Sequence, residues 1–292
     1  MTSKRKKRRR RSSRPRPTVR QKGRTAHALA PKTRLKPIFK TLDLVSATGD
    51  KAVLETKDAD RDLVRFDINI FLRAINSVKS MRILLAQGHW EVAAAPVRQI
   101  FELVVNAEYV NAQPDREEAA LRYMKFGLLQ LVRGQQAALR YAAKTGRDVD
   151  EQRKLSLDAH VEKTYPEFRG PKKGWLPSWS GKSTKQLAEL SPQPTRVDQY
   201  ELLFTAWSEQ VHASPGALLD TFFAQATEGW IEEAIASDDL HIAETASIGV
   251  VLFIDLWTTL PALRPIELDA ARNWTETLMT ESAKLGAPPL GR

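Results

Sequence analysis

Residues 90–112 read WEVAAAPVRQIFELVVNAEYVNA, and this stretch decides the fold class. As a helix it would be apolar around most of its circumference, while Arg98, Glu102 and Asn106 recur at every fourth position. Residues four apart lie on one face of an α-helix, so the pattern predicts a largely buried helix with one polar stripe. Such a helix needs apolar neighbours on several sides, which indicates a multi-helix core.

Helical periodicity continues along the chain, and strand-like alternation is scarce. We predict helices at residues 58–87, 90–112, 115–144, 148–164, 197–213, 215–235, 238–261 and 267–285. The expected fold is all-α: a multi-helix bundle-like domain preceded by a disordered polybasic N-terminal tail. Residues 1–55 are assigned to the tail and linker, and residues 56–292 to the helical domain. Residues 246–263 are apolar enough to suggest a membrane span, but Asp255 near their middle favours a buried helix.

Charge is distributed very unevenly along the chain. Residues 1–40 contain seventeen Lys and Arg and no Asp or Glu, whereas the whole chain has 45 basic and 35 acidic residues. Because like charges repel and few apolar side chains are present, we expect this segment to be disordered. Its densest part is an unbroken run of eight cations, namely Lys4, Arg5, Lys6, Lys7, Arg8, Arg9, Arg10 and Arg11.

A segment of this kind binds polyanions by releasing their condensed counterions, with little sequence preference. No aromatic residue precedes Phe39, so we expect contacts with phosphates rather than stacking on bases. Nucleic acid, either RNA or DNA, is the expected partner of a cytoplasmic protein. An anionic membrane surface is the alternative, since polybasic segments also bind acidic lipids. The sequence leaves any protein partner unknown.

The sequence contains no cysteine, which excludes disulfides, thiolate metal sites and a cysteine nucleophile. Its five histidines are scattered and lack the spacing of a motif such as HExxH. We therefore expect neither a metal nor a cofactor.

Two helices carry candidate site residues. On the polar stripe, Arg98 and Glu102 either face solvent or line a pocket, where Glu102 would be a base or Arg98 an anion clamp. Residues 197–213 read VDQYELLFTAWSEQVHA and place Ser208 and His212 four apart. A Ser–His pair is typical of nucleophilic catalysis. However, the helix lacks the strained turn that usually exposes such a serine, and a histidine near a helix C-terminus also has a structural explanation.

Residues 170–183 read GPKKGWLPSWSGKS and mix tryptophans with cations. They predict either a ligand loop that stacks on bases and binds phosphate, or a surface loop pinned by its tryptophans. Residues 181–183 read GKS, as at the end of a P-loop motif, but Leu176 stands where that motif requires glycine. The stretch therefore does not match a P-loop. The candidate ligand residues of the loop are Lys172, Lys173, Trp175, Trp179 and Lys182.

Three of these stretches together resemble a bacterial helical family known only as domain of unknown function 5677. They are GHWEVAAAPVRQIFELVVNAEYV at 88–110, WSGKS at 179–183 and YxxxFxxWSxxVH at 200–212. The resemblance covers about residues 60–265 and implies an all-helical domain without supplying an activity. Phe204 departs from it, because the family more often has tyrosine there. The cluster that the resemblance implies consists of Arg98, Glu102, Ser208 and His212.

Three functions stay open at this point, and the sequence does not decide whether the protein is an enzyme. The first is association with nucleic acid through the basic tail. The second is a metal-independent ribonuclease of a defence or toxin type. Helical HEPN ribonucleases use an Arg and a His separated by four to six residues, and six residues separate Arg82 from His89 and Arg153 from His160. The third is a helical module that binds a small anionic ligand or a protein partner.

Overall fold

The computed structural model describes residues 33–57, 61–170, 174–207 and 230–286. Within these ranges the regular secondary structure is helical apart from one isolated bridge between Arg169 and Trp175, which confirms the all-α prediction. A π-helical turn spans Leu202–Ala206. The α-helices are α1 (Lys36–Leu54), α2 (Asp62–Ala86), α3 (Trp90–Asn111), α4 (Arg116–Lys144), α5 (Glu151–Thr164), α6 (Thr184–Glu189), α7 (Arg196–Glu201), α8 (Trp230–Thr259) and α9 (Leu268–Gly286).

Helix α3 lies at the centre of the core, as its apolar circumference predicts. It packs against α2 on one side and α8 on another, while α1 contacts α2 and α9 contacts both α8 and α1. Val97, Ile100 and Val104 of α3 are fully buried. Burial of apolar area on this scale is the main favourable contribution to folding of such a domain.

Helix α1 corrects the predicted domain boundary. Ile38, Leu42 and Val45 are fully buried in the core, so the tail-and-linker assignment is wrong for residues 33–54. Gly49 lets α1 approach its neighbours closely, because a Cβ there would lie 3.0 Å from Ile75 Cγ1 and 3.1 Å from Phe253 Cζ. The predicted disorder of residues 1–32 lies outside the described residues.

Helix α8 is continuous where the sequence predicted a break between residues 235 and 238. The two aspartates at that point lie within one helix instead of starting a new one. Asp238 accepts a hydrogen bond from Trp90 Nε1 at 3.2 Å, and Asp239 is buried.

Part of α8 also meets the criteria for a membrane span. Asp238–Thr259 has a mean hydropathy of 1.5 and, among the described residues, is the one segment with the length and composition to cross a membrane. Its Val250, Phe253 and Leu256 are fully buried against other helices of the fold. The core helix of a folded domain passes the same test, so this segment is weak evidence for a span.

Residues 165–196, which lie between two of the predicted helices, contain ordered structure. Pro166–Phe168 forms a 3₁₀ turn, and α6 follows at Thr184–Glu189. Ser183 and Gln186 form a capping box, in which each side chain accepts a hydrogen bond from the other residue's backbone N–H. The stretch between α5 and α7 is therefore partly helical.

Candidate functional site

Arg98 on the polar stripe of α3 is held in place by one hydrogen bond but keeps a buried donor unused. Its Nε donates a hydrogen bond of 2.5 Å to the backbone oxygen of Leu203, in the π-helical turn. Its guanidinium carbon lies 5.2 Å from the ring centroid of Phe204, within range of a cation–π contact. Nη2 of Arg98 is buried and has no hydrogen-bond partner among the described residues. Single π-helical turns are frequently found at functional sites, so the contact of Arg98 with this turn is a candidate site feature.

Glu102 lies one helical turn after Arg98. Part of its surface is exposed, yet partial burial raises the pKa of its carboxyl group, and the charge of Arg98 opposes this shift. Burial likewise lowers the pKa of Arg98, opposed by the charge of Glu102. Within the described parts of the chain, the Glu102 carboxylate makes neither a hydrogen bond nor an ion pair. Arg98 and Glu102 therefore shift each other's pKa, although no hydrogen bond or ion pair joins their side chains.

Tyr123 of α4 belongs to the same polar group. Burial raises the pKa of its hydroxyl, the negative charge of Glu102 raises it further, and Arg73 of α2 lowers it. Arg73 is occupied: with the Gln99 amide oriented to satisfy both groups, its Nε and Nη2 donate to Gln99 Oε1 at 3.1 and 2.9 Å. Arg98 and Glu102 thus remain the charged groups of this cluster with unused hydrogen-bonding capacity.

Asn106, the third residue of the stripe, anchors the tryptophan loop. Its Oδ1 accepts a hydrogen bond of 2.6 Å from Trp179 Nε1. The Trp179 ring is only 5 % exposed and packs edge-on against Tyr109 and Tyr123. The backbone oxygen of Trp179 also accepts from Arg122 Nε at 3.0 Å. A base has no access to stack on this ring, so Trp179 pins the loop.

The other predicted loop residues are placed less tightly. The guanidinium carbon of Arg169 lies 3.8 Å from the ring centroid of Trp175 and covers one face of that half-buried ring. Lys182 Nζ lies 6.0 Å from the ring centroid of Tyr109. Lys172 and Lys173 lie outside the described residues. A ligand role for the loop stays a prediction for the residues other than Trp179.

The predicted Ser–His pair cannot be placed, because Ser208 and His212 lie outside the described residues. The segment before them differs from the predicted helix 197–213: α7 ends at Glu201, and the chain continues in the π-helical turn Leu202–Ala206. Convergence of Ser208 and His212 with Arg98 and Glu102 therefore stays a prediction.

The residues of the ribonuclease hypothesis occupy other surfaces. Arg82 forms an ion pair with Asp43, Nε to Oδ1 3.0 Å, and stacks on Phe39 at 4.7 Å. His89 is exposed at the N-terminus of α3, and Arg153 and His160 are exposed on α5. No group of three or more His, Asp or Glu in the described ranges is arranged to hold a metal ion.

A buried ion-pair network that the sequence analysis missed positions this region. Arg196 is 1 % exposed, and its Nη2 donates to Glu108 Oε1 at 2.7 Å. Its Nη1 donates to Asp255 Oδ2 at 2.8 Å and to Gln199 Oε1 at 2.7 Å. Burial alone would lower the pKa of Arg196, but its hydrogen bonds to Glu108 and Asp255 raise it above the ordinary value.

This network fastens α7 to α3 and α8, and thereby places the π-helical turn against Arg98. A second bond strengthens the connection, because Ser191 Oγ donates to Glu108 Oε2 at 2.7 Å. The available signal in the sequence was the presence of Glu108 and Asp255 inside strongly apolar helices, where charged side chains are rarely buried without a partner. Nothing in the spacing pointed to Arg196 as that partner.

Comparison with known proteins identifies the family. The sequence model of a family of unknown function (DUF5677) matches residues 68–229, more than half of the 292-residue chain. The matched range includes Arg98, Glu102, Tyr123, Trp179 and Leu203. No curated protein and no solved structure matches the chain. The resemblance noted from the sequence is confirmed, and the chain belongs to the family of unknown function DUF5677.

Proposed function

We propose that this protein is a nucleic-acid-associated helical protein that binds RNA or DNA without sequence preference through residues 4–11, called the arm below. The observation that supports the proposal is the charge distribution. The arm consists of eight consecutive Lys and Arg, and residues 1–40 contain no acidic residue. Neutralising phosphates with such a segment releases condensed counterions, a driving force that needs no base contact.

Contacts in the helical domain favour the arm as the source of this affinity. Many cations of the domain are paired with carboxylates: Lys79 with Asp50 at 2.8 Å, for example, and Arg264 with Glu55 at 2.9 Å. Exposed pairs of this kind add little stability, but each cancels local positive charge. Part of the positive charge on the described surface is thus cancelled by carboxylates, whereas the arm offers eight consecutive cations without acidic neighbours in the sequence.

The proposal includes a cytoplasmic location and no catalytic step. The ribonuclease alternative requires an Arg beside a His in an open cleft. Arg82 is instead engaged by Asp43 and Phe39, so no specific observation favours that alternative. An anionic membrane remains the competing partner for the arm, because both partners present phosphates.

Fluorescence anisotropy on the full chain tests the proposal. The probes are labelled single-stranded RNA, labelled duplex DNA and, in a parallel flotation assay, vesicles containing phosphatidylserine. Replacement of all eight arm residues by serine should abolish binding to both nucleic acids. The matched control, Lys4→Arg, Lys6→Arg and Lys7→Arg together, keeps the charge and should keep the binding. Unchanged nucleic-acid affinity of the serine variant, or binding to vesicles alone, would overturn the proposal.

A further inference from the structure

Two oppositely charged groups on α3 have unused hydrogen-bonding capacity one helical turn apart. Arg98 retains a buried donor at Nη2, and Glu102 retains acceptors on its carboxylate. Buried polar groups in folded proteins nearly always have a partner, so the unpaired Nη2 of Arg98 calls for a physical explanation, whereas the exposed carboxylate of Glu102 is open to contact from solvent. A structural ion pair would have joined these two groups to each other. Among the described residues they form no such pair, although each shifts the pKa of the other.

We propose that Arg98 and Glu102 form a binding site for a small zwitterion of the α-amino-acid type. The ligand carboxylate accepts a hydrogen bond from the half-buried guanidinium group of Arg98, and the ligand ammonium group donates to the carboxylate of Glu102. The site is independent of the arm, and therefore extends beyond the proposed association with nucleic acid.

The arrangement around Arg98 supports a preformed site. Its Nε is fixed by the backbone oxygen of Leu203, and its guanidinium group is covered by the Phe204 ring. Leu203 is fully buried, and the Arg196 network fastens the helix that precedes it. A guanidinium group that is oriented before the ligand arrives loses little conformational freedom on binding, and this favours affinity.

The charges favour a zwitterion over a singly charged ligand. A simple anion at Arg98 would be repelled by Glu102, and a simple cation at Glu102 would be repelled by Arg98. Arg73 is the other charged neighbour in the cluster. Its Nε and Nη2 already donate to Gln99, so these donors are not free to bind a ligand carboxylate. A ligand with both charges satisfies both groups without a net change in charge at the site.

The surroundings also indicate the kind of side chain that the ligand carries. Phe204 lies against Arg98, and Phe204 in turn stacks on Tyr200 with ring centroids 4.9 Å apart. Tyr123 lies on the α4 side, where the charge of Glu102 acts on its hydroxyl. Because aromatic rings prefer apolar or aromatic contacts, an amino acid with an aromatic side chain fits best.

Isothermal titration of the full chain tests this site with phenylalanine and two matched analogues. Phenethylamine lacks the carboxylate, and 3-phenylpropanoate lacks the ammonium group. We expect phenylalanine to bind, and each analogue to bind at least about tenfold more weakly, because each leaves one charged protein group without its partner.

Two substitutions assign the ligand groups to the protein groups. Glu102→Gln should weaken phenylalanine binding and remove most of the discrimination against 3-phenylpropanoate. Arg98→Gln should remove most of the discrimination against phenethylamine. Glu91→Gln, on the same helix but outside the cluster, is the matched control and should change neither preference.

The titrations of the unmodified chain already make the proposal refutable, so it does not depend on whether the variants fold. Absence of heat for every common amino acid at concentrations up to about 10 mM would overturn it, since a site of this kind should bind more tightly than that. Equal affinity for phenylalanine and either analogue would also overturn it. These results would leave the arm and its nucleic-acid binding untouched, so the two proposals fail separately.

Discussion

Replacing Arg196 by methionine should destabilise the fold severely. Arg196 is the largest fully buried side chain among the described residues, and its guanidinium group neutralises two carboxylates, Glu108 and Asp255. Methionine preserves much of the side-chain volume but removes the charge and every donor. Glu108, whose side chain is only 5 % exposed, would then be left as an unpaired buried charge.

The size of the effect follows from this burial. Removing one partner of a buried ion pair typically costs about 3–5 kcal/mol, because the other charge stays desolvated. Asp255 adds little to this, since its side chain is 35 % exposed and can be hydrated. For a domain of this length, each kcal/mol lowers the melting temperature by about 2–4 °C. We therefore expect Tm to fall by roughly 6–20 °C.

Urea denaturation followed by circular dichroism gives the free energy of unfolding directly. Lys154→Met is the matched control, because Lys154 pairs with Glu151 at 3.0 Å on the exposed surface, where a pair is worth less than about 1 kcal/mol. Arg196→Met combined with Glu108→Gln should recover part of the loss, since the second change removes the stranded charge.

The reasoning fails if Arg196→Met costs no more than the Lys154→Met control. It also fails if Glu108→Gln lowers the stability of the Arg196→Met variant by as much as it lowers the stability of the unmodified protein. Either result would mean that Arg196 is not the group that neutralises Glu108.

Three further predictions concern other parts of the structure. Burial raises the pKa of the Glu102 carboxyl group in the folded state, so the folded state holds the carboxyl proton more tightly than the unfolded state does. The stability of the protein therefore falls as the pH rises from the unfolded-state pKa to the folded-state pKa of this group. Glu102→Gln should therefore raise Tm relative to the unmodified protein more at pH 7 than at pH 4, and an equal difference at both would contradict this. Trp179→Phe should cost about 1–3 kcal/mol in urea denaturation, because Asn106 loses its donor; an unchanged midpoint would refute that contact. Gly249→Leu should destabilise the fold by about 1–3 kcal/mol through overpacking, because a Cβ at this position would lie 2.6 Å from Met81 Sδ. A Tm equal to that of the unmodified protein would contradict this close approach.

The central helix was predictable because its signal is local. The apolar residues of α3 repeat with the helical period over the whole element, and the observed bounds, Trp90–Asn111, differ from the predicted ones by one residue. Helix α1 was missed because its buried face includes Gly49 and Ala52, and small residues contribute little to a hydrophobic pattern. Those small residues nevertheless allow the close packing of α1 against α2 and α8.

The candidate site was predictable only in part. The four-residue spacing placed Arg98, Glu102 and Asn106 on one face, but did not show that Asn106 would be occupied by Trp179, 73 residues away. The same limit applies to Arg196 and Glu108, which are 88 residues apart. Contacts over such separations depend on how the helices pack, and no periodicity within one helix reports them.

Association of the arm with nucleic acid is tested most directly by the salt dependence of binding. The logarithm of the binding constant for duplex DNA falls with the logarithm of salt concentration, with a slope of about −0.9 for each phosphate neutralised. If all eight arm cations are engaged, replacing them by serine in the full chain should reduce the steepness of this slope by about 7. Circular dichroism should show the same helical content for both proteins. Equal slopes for the full chain and its serine variant would contradict the proposal, because they would place the phosphate contacts outside the arm.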